Sequence, residues 1–125
     1  SVSKDDINDG KTFLIERAYL GRWLRLLARE KVMAHSLVKQ HVDYDLEDPS
    51  GQMLFAIVCE YYAACNQLEE MINKFLTLPG PVKEKSKDEI PLSQLEYISF
   101  NSYIMMIETH RITLRDKYNI SLEIN

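Results

Sequence analysis

The most constraining feature of this chain is a nearly uncharged stretch at residues 53–65, whose single charge is Glu60. The stretch lies inside a longer pattern of apolar residues spaced three and four apart, which predicts a helix with one continuous apolar seam. Apolar side chains also occupy its other faces, so we expect this helix to be covered on nearly all sides, by its own chain or by another. The seam comprises Leu54, Val58, Tyr61, Cys65, Leu68, Ile72 and Phe75.

The segment before this helix is predicted to be helical from Lys11 to about Val42. Asp9 suits an N-cap, and the segment contains no proline. Gly21 lowers helix propensity by about 1 kcal/mol relative to alanine. The apolar pattern is also interrupted near Glu30. We therefore expect either one long helix or two shorter ones.

The boundaries of the central helix are marked by polar and turn-forming residues. Asp48 followed by Pro49 is typical of an acidic cap and a first-turn proline. The helix should end at about Leu76, before a polar connector at residues 79–91 that is predicted to be mobile.

The last helical segment should begin near Pro91-Leu92 or Ser93. Its apolar seam has one polar interruption, Arg111. After Tyr118 the residues alternate between polar and apolar, which predicts a short strand or an extended tail. A second apolar series on an adjacent face of this helix contains Leu95, Ile98, Met105 and Ile112.

Together these segments predict one all-α domain over residues 1–125. Its expected architecture is an antiparallel bundle of three long or four helices with a short extended C-terminal tail. The apolar surface is wider than three helices would normally cover, so we expect a homodimer. Its shared surface should be filled by aromatic residues such as Trp23, Tyr97 or Phe100.

The cysteines and the hydropathy of the chain suggest its compartment. Cys59 and Cys65 are six residues apart on one predicted helix, which is too far for a disulfide. No apolar run is long enough to cross a membrane, and the first residues do not resemble a signal peptide. We therefore expect a cytoplasmic protein with no membrane contact.

The net charge of −4 is unevenly distributed. Residues 11–42 carry seven positive and two negative side chains, whereas residues 43–81 carry one positive and seven negative ones. The two segments are expected to pack together, with the opposite charges along their edges (rims) forming ion pairs. Alternatively, the first helix offers a basic face to an anionic partner, either an acidic protein or a nucleic acid. The candidate partner-binding residues are Arg22, Arg25, Arg29, Trp23 and Tyr19.

The residues from Arg29 to His35 suggest an alternative function. Their spacing resembles the R-x(4–6)-H pattern of HEPN ribonucleases, over seven residues of the 125. That resemblance implies an RNA-acting site completed by a second subunit, in which Arg29 steadies phosphate and His35 assists proton transfer. The chain departs from the family at Glu30, whose charge would repel RNA.

The sequence around His35 also resembles the motif of histidine phosphotransfer domains. Ala34-His35-Ser36-Leu37 matches the start of H-x-L-K-G, and the family fold is a four-helix bundle. The lysine is displaced to Lys39 and the glycine is missing, so the groups that support a phosphoryl group are not in place.

Neither a metal site nor a cofactor is predicted. The three histidines lack a ligand spacing, and the acidic loop at residues 43–54 lacks the glycine and glutamate of a calcium loop. Glu60 is expected to reach solvent or to pair with an arginine of the first helix, the alternative being a carboxylate with a raised pKa in a pocket.

We therefore expect a non-enzymatic adaptor or regulatory bundle that binds a protein partner through a helix surface. The alternative is the HEPN-like, RNA-acting module that uses Arg29 and His35 across a dimer. Phosphotransfer is a third hypothesis.

Overall fold

The computed structural model of the chain describes residues 11–39, 45–77 and 88–121. In chain order its elements are strand β1 (Thr12–Glu16), helix α1 (Arg17–Lys39), helix α2 (Pro49–Thr77), strand β2 (Glu89–Ser93) and helix α3 (Gln94–Tyr118). The predicted helical architecture is confirmed. A fourth helix is not among the described residues, and a small sheet accompanies the three helices.

Some sequence predictions fall outside these ranges. The predicted cap at Asp9 and the helix end at Val42 are among them. So are residues 79–87 of the predicted connector and residues 122–125 of the predicted tail.

The three helices form an up-down-up bundle in which α2 packs against both α1 and α3. Near one end, Phe100 of α3 lies 6.3 Å from the rings of Tyr19 in α1 and Phe75 in α2. Tyr19 and Phe100 lie near the starts of their helices and Phe75 near the end of α2, so consecutive helices run antiparallel.

The predicted seam of α2 forms the centre of the core. Six of its seven residues, from Val58 to Phe75, are buried, and Leu54 is partly buried. Within one chain, residues 53–65 are covered on only some of their faces. Ala56, Glu60 and Ala63 are exposed, because small or charged residues occupy most outward positions of this helix, and Met53 near its start is exposed as well. Cover by a second chain, the other form of the expectation, stays a prediction.

Residues 12–16 form a strand instead of the predicted start of a helix. β1 pairs antiparallel with β2, with Leu14 opposite Pro91 and Ile15 opposite Ile90. Ile15 and Ile90 are buried against the bundle, which stabilises the pair. A two-stranded sheet has only edge strands, where a proline is tolerated. The last part of the predicted connector, residues 89–91, is therefore ordered as a strand.

Helix α1 is continuous from Arg17 to Lys39, with no break at Gly21 or at Glu30. A β-carbon added at Gly21 would lie 3.7 Å from Arg25 Nη1, an ordinary van der Waals distance. Gly21 therefore lowers the propensity of α1 without breaking it.

The predicted starts of α2 and α3 agree with the structure. α2 begins at Pro49, and Asp48 Oδ2 accepts a hydrogen bond from the Ser50 amide at 3.2 Å. α3 begins one residue after Ser93, whose side chain accepts from the Glu96 amide at 3.1 Å. In return, the Glu96 carboxylate accepts from the Ser93 amide at 2.8 Å. This reciprocal arrangement is a capping box.

After α3 the chain turns instead of continuing as a strand. Asn119 adopts a left-handed conformation with φ of 57°, and its amide donates to the Arg115 carbonyl at 3.1 Å. The Ile120 amide donates to the Leu114 carbonyl at 2.9 Å. Residues 119–121 have no regular secondary structure.

Candidate functional site

A stripe of arginines lies on the solvent side of α1. Arg22, Arg25 and Arg29 are all exposed, and their spacing of three and four residues places them along one face of the helix. We call these three residues the basic face.

The two aromatic residues predicted beside these arginines are partly buried. Tyr19 and Trp23 pack against the core, so they anchor α1 as well as bordering the basic face. The guanidinium carbon of Arg22 lies 5.8 Å from the centre of the Tyr19 ring, within the range of a cation–π contact. This contact orients one of the three guanidinium groups.

Among the described residues of the two segments, the predicted pairing of their charged edges occurs at one position. Lys31 Nζ of α1 lies 2.7 Å from Glu69 Oε1 of α2, and both side chains are partly buried. Within residues 11–39, 45–77 and 88–121, no carboxylate forms a salt bridge with Arg22, Arg25 or Arg29. The positive charge of the basic face is therefore not neutralised by these parts of the chain.

A cleft adjoins the basic face. It has a volume of about 300 Å³, at the lower end of the range for ligand pockets, and is open to solvent. Tyr19 and Arg22 form part of its wall on α1, and Tyr97 and Asn101 form part of it on α3. The Tyr97 ring is stacked on Phe13 of β1 with their centres 4.5 Å apart, so this wall is held in place by the sheet.

Arg29 and His35 are both exposed but lie on different sides of α1. Six residues of helix separate them by about 9 Å along the axis and turn the second side chain about 120° from the first. The His35 ring lies 5.5 Å from the Tyr62 ring of α2. One copy of the chain therefore does not bring the two side chains together.

The most unusual polar group in the described bundle is Glu30, which is 1% exposed. Its Oε2 accepts a hydrogen bond from the Tyr61 hydroxyl of α2. Its Oε1 accepts one from Arg111 Nη2 of α3 at 2.5 Å. We call Glu30, Tyr61 and Arg111 the buried cluster. It joins the three helices at one level of the bundle.

The buried cluster also changes the acidity of its neighbours. Burial, followed by the hydrogen bond to Glu30, raises the pKa of Tyr61 far above its ordinary value. Burial and the Glu30 charge raise the pKa of the Cys65 thiol to about 12. Tyr61 and Cys65 therefore stay protonated at neutral pH, and neither is a nucleophile that a substrate can reach.

The buried cluster was not predicted from the sequence, although a signal for it was present. Glu30 and Arg111 are the positions at which the apolar patterns of the first and third helices are interrupted. Opposite charges at such interruptions satisfy each other when the helices pack, because a buried charge requires a partner.

Glu60 has a different partner from the one expected. Its side chain is largely exposed, and Oε2 lies 3.2 Å from His110 Nε2 of α3. It therefore reaches solvent, as expected, and the side chain that it contacts is a histidine of α3 and not an arginine of α1.

Three further features concern metal ions, membranes and the cysteines. Within the described ranges, no three His, Cys, Asp or Glu side chains are grouped as a metal ion would require. None of the three helices combines the length and hydrophobicity needed to cross a bilayer. Cys59 and Cys65 are both free thiols.

Comparisons with protein-family models, with curated proteins and with solved structures found no match to this chain.

Proposed function

We propose that this protein is a non-enzymatic interaction module that binds an acidic segment of a partner protein through the basic face of α1. One observation carries the proposal: Arg22, Arg25 and Arg29 are exposed along one helix face, and none is paired with a carboxylate of the described residues. We also propose that the module is a homodimer and, from its two free thiols, that it is cytoplasmic.

The chemistry of the basic face favours carboxylates as ligands. Each guanidinium presents a planar fork of donors that matches a carboxylate in two parallel hydrogen bonds. Three such groups over two turns of a rigid helix fit a short extended or helical segment with spaced acidic residues. The contact between Arg22 and Tyr19 orients one of these guanidinium groups before a ligand binds.

The charge of the whole chain argues against a long polyanion as the ligand. The net charge is −4, so a nucleic acid that extends beyond the basic face would meet a negative field. An acidic peptide segment is short enough to bind the basic face without entering this negative field.

The remaining unusual groups support binding over catalysis. Glu30, Tyr61 and Cys65 have the most strongly perturbed environments in the described chain, and all three are buried in the core. The buried cluster is therefore part of the scaffold that holds the basic face.

The test is a binding titration of a fluorescent polyglutamate peptide, followed by anisotropy at several salt concentrations. An exposed ion pair contributes about 0.2–1 kcal/mol, and charge reversal replaces attraction with repulsion. We therefore expect the R22E/R25E/R29E variant to lose affinity at least about tenfold, which corresponds to about 1.4 kcal/mol. Binding by the unaltered protein should weaken as salt increases.

A matched control makes the same change in charge elsewhere. The K39E/K74E/K117E variant reverses three exposed lysines on three different helices. It should retain most of the affinity if the basic face is the site. Equal losses in the two variants would show that only net charge matters and would contradict the proposal.

The same assay also tests the alternative function, an RNA-acting module. A single-stranded RNA is substituted for the peptide, and its length is checked after incubation. RNA cleavage that disappears in both R29A and H35A would replace the interaction module with an RNA-acting one.

A further inference from the structure

The outer side of α3 carries an unusual concentration of exposed apolar side chains. Of the ten large hydrophobic residues that are exposed in the described ranges, five lie on this one helix. They are Leu95 (53%), Ile98 (46%), Met105 (67%), Met106 (45%) and Ile112 (48%). The other five are distributed over β1, α1, the loop before α2 and the start of α2, which is ordinary for a protein surface.

Four of these five residues, all except Met106, follow the spacing of a coiled-coil seam. Steps of three and four residues lead from the start of α3 nearly to its end. The positions on this path, which we call the outer stripe, are Leu95, Ile98, Ser102, Met105, Thr109 and Ile112. The buried residues Phe100, Ile107 and Leu114 lie about 140–160° away around the helix, so the outer stripe faces away from the bundle core.

We propose that the outer stripe is the interface of an antiparallel homodimer, in which α3 packs along α3 of a second copy. The assignment rests on the self-association included in the proposed function and specifies its surface and direction. It replaces the surface expected from the sequence. Phe100 is 1% exposed in the core of its own chain, and Trp23 and Tyr97 are partly buried there.

One register satisfies the packing rule for antiparallel helices, in which each knob position faces the complementary position of the other helix. A two-fold axis at the level between residues 103 and 104 of α3 places Leu95 opposite Ile112 of the second copy, and Ile112 opposite Leu95. It also places Ile98 opposite Thr109 and Ser102 opposite Met105. A shift by one heptad in either direction places Leu95 or Ile112 beyond the end of the other helix.

The charges beside the outer stripe agree with this register and direction. On one side, Asn101 lies near Glu108 of the second copy and Gln94 lies near Arg115, so no like charges meet. A parallel pairing would instead continue the stripe to Asp116 and set two copies of this carboxylate opposite each other. Like charges in that position are destabilising.

The first test measures the mass of the full chain in solution by light scattering over micromolar concentrations. The unaltered protein should approach twice the single-chain mass of 14.6 kDa. M105E should fall to 14.6 kDa with unchanged helical circular dichroism, because Met105 is exposed in the single chain and the new charge would be buried only in the dimer.

The matched control is V32E, which places the same charge at an exposed apolar residue of α1 (71%). It should remain a dimer. A single-chain mass for the unaltered protein at every concentration would overturn both the interface and the proposed self-association. A dimer that persists in M105E would overturn the interface alone, leaving self-association in place. Neither result affects the peptide titration of the basic face.

The second test determines direction by disulfide formation. L95C and I112C are prepared as separate proteins carrying C59A, and are oxidised alone and as a mixture. Cys65 is buried and its pKa is raised to about 12, so it stays out of the reaction. The antiparallel register predicts crosslinked dimers chiefly in the mixture. Efficient crosslinking of each protein alone, with no gain on mixing, would overturn the antiparallel arrangement.

Discussion

Gly21 and Gly51 occupy helices but have opposite effects on stability. Gly21 lies in the interior of α1, where an added β-carbon would meet only the end of the Arg25 side chain at 3.7 Å. Gly51 lies in the first turn of α2, where an added β-carbon would lie 2.1 Å from the Asp45 carbonyl oxygen. The loop before α2 therefore packs against a position that only glycine can occupy.

We expect Gly21→Ala to raise the free energy of unfolding by about 0.5–1 kcal/mol, because alanine favours the helix and no contact is strained. Gly51→Ala should lower it by about 1–3 kcal/mol, because the loop must move away from the new methyl group. Urea denaturation followed by circular dichroism measures both.

Each glycine variant is the control for the other, since both add the same methyl group to a helix. A stabilising effect of Gly51→Ala would show that the Asp45 carbonyl does not approach α2 as described. Of these two effects, only the first could be predicted from the sequence. The propensity of glycine is a local property, whereas the approach of Asp45 depends on how the loop folds.

At the scale of the elements, the buried cluster fixes how the three helices meet. Each of its residues comes from a different helix, and both carboxylate oxygens of Glu30 are hydrogen-bonded. Removing one member leaves the others buried without their partner, which costs more than an exposed ion pair contributes.

We expect Glu30→Leu and Arg111→Leu each to lower the free energy of unfolding by about 3–5 kcal/mol. The double variant E30L/R111L should lower the free energy of unfolding by less than the sum of the two single changes, because it leaves no unpaired charge in this cluster. Urea denaturation of the four proteins provides the double-mutant cycle.

Glu69→Gln is the matched control for this cycle. It removes the charge from a partly exposed pair with Lys31, and we expect a cost below about 1 kcal/mol. Costs for Glu30→Leu and Arg111→Leu that are equally small, or that simply add, would contradict the role of the buried cluster.

The elements show which local signals were sufficient for prediction. The start of α2 after Asp48 and the start of α3 near Ser93 depend on neighbouring residues alone, and both were predicted closely. β1 was mistaken for helix because its residues acquire a partner only from β2, more than 70 residues later in the chain. A pairing between such distant residues cannot be detected from the local spacing of apolar residues.

At the scale of the whole molecule, the described bundle closes its own core and leaves two different faces to solvent. One is the basic face of α1, and the other is the apolar outer stripe of α3. The sequence predicted the basic residues correctly as a helix stripe, because charge and spacing are visible directly. It identified Leu95, Ile98, Met105 and Ile112 as a series separate from the core seam of α3, but not as the exposed one, because both series are apolar at helical spacing and only packing decides which is buried.

The two faces lead to different expectations in solution. Binding at the basic face should depend strongly on salt, because exposed charges attract each other across water. Dimerisation through the outer stripe should change little with salt concentration, because burial of apolar surface dominates there. The function proposed for the protein depends on the first of these faces.

The most direct measurement is a two-dimensional amide NMR titration of the full chain with the polyglutamate peptide. We expect the largest shifts at the amides of Arg22, Arg25 and Arg29 and at the indole of Trp23, which borders them. The amides of the outer stripe should shift little. Largest shifts on α2 or α3, or no shifts at a peptide concentration that saturates the anisotropy signal, would contradict binding at the basic face.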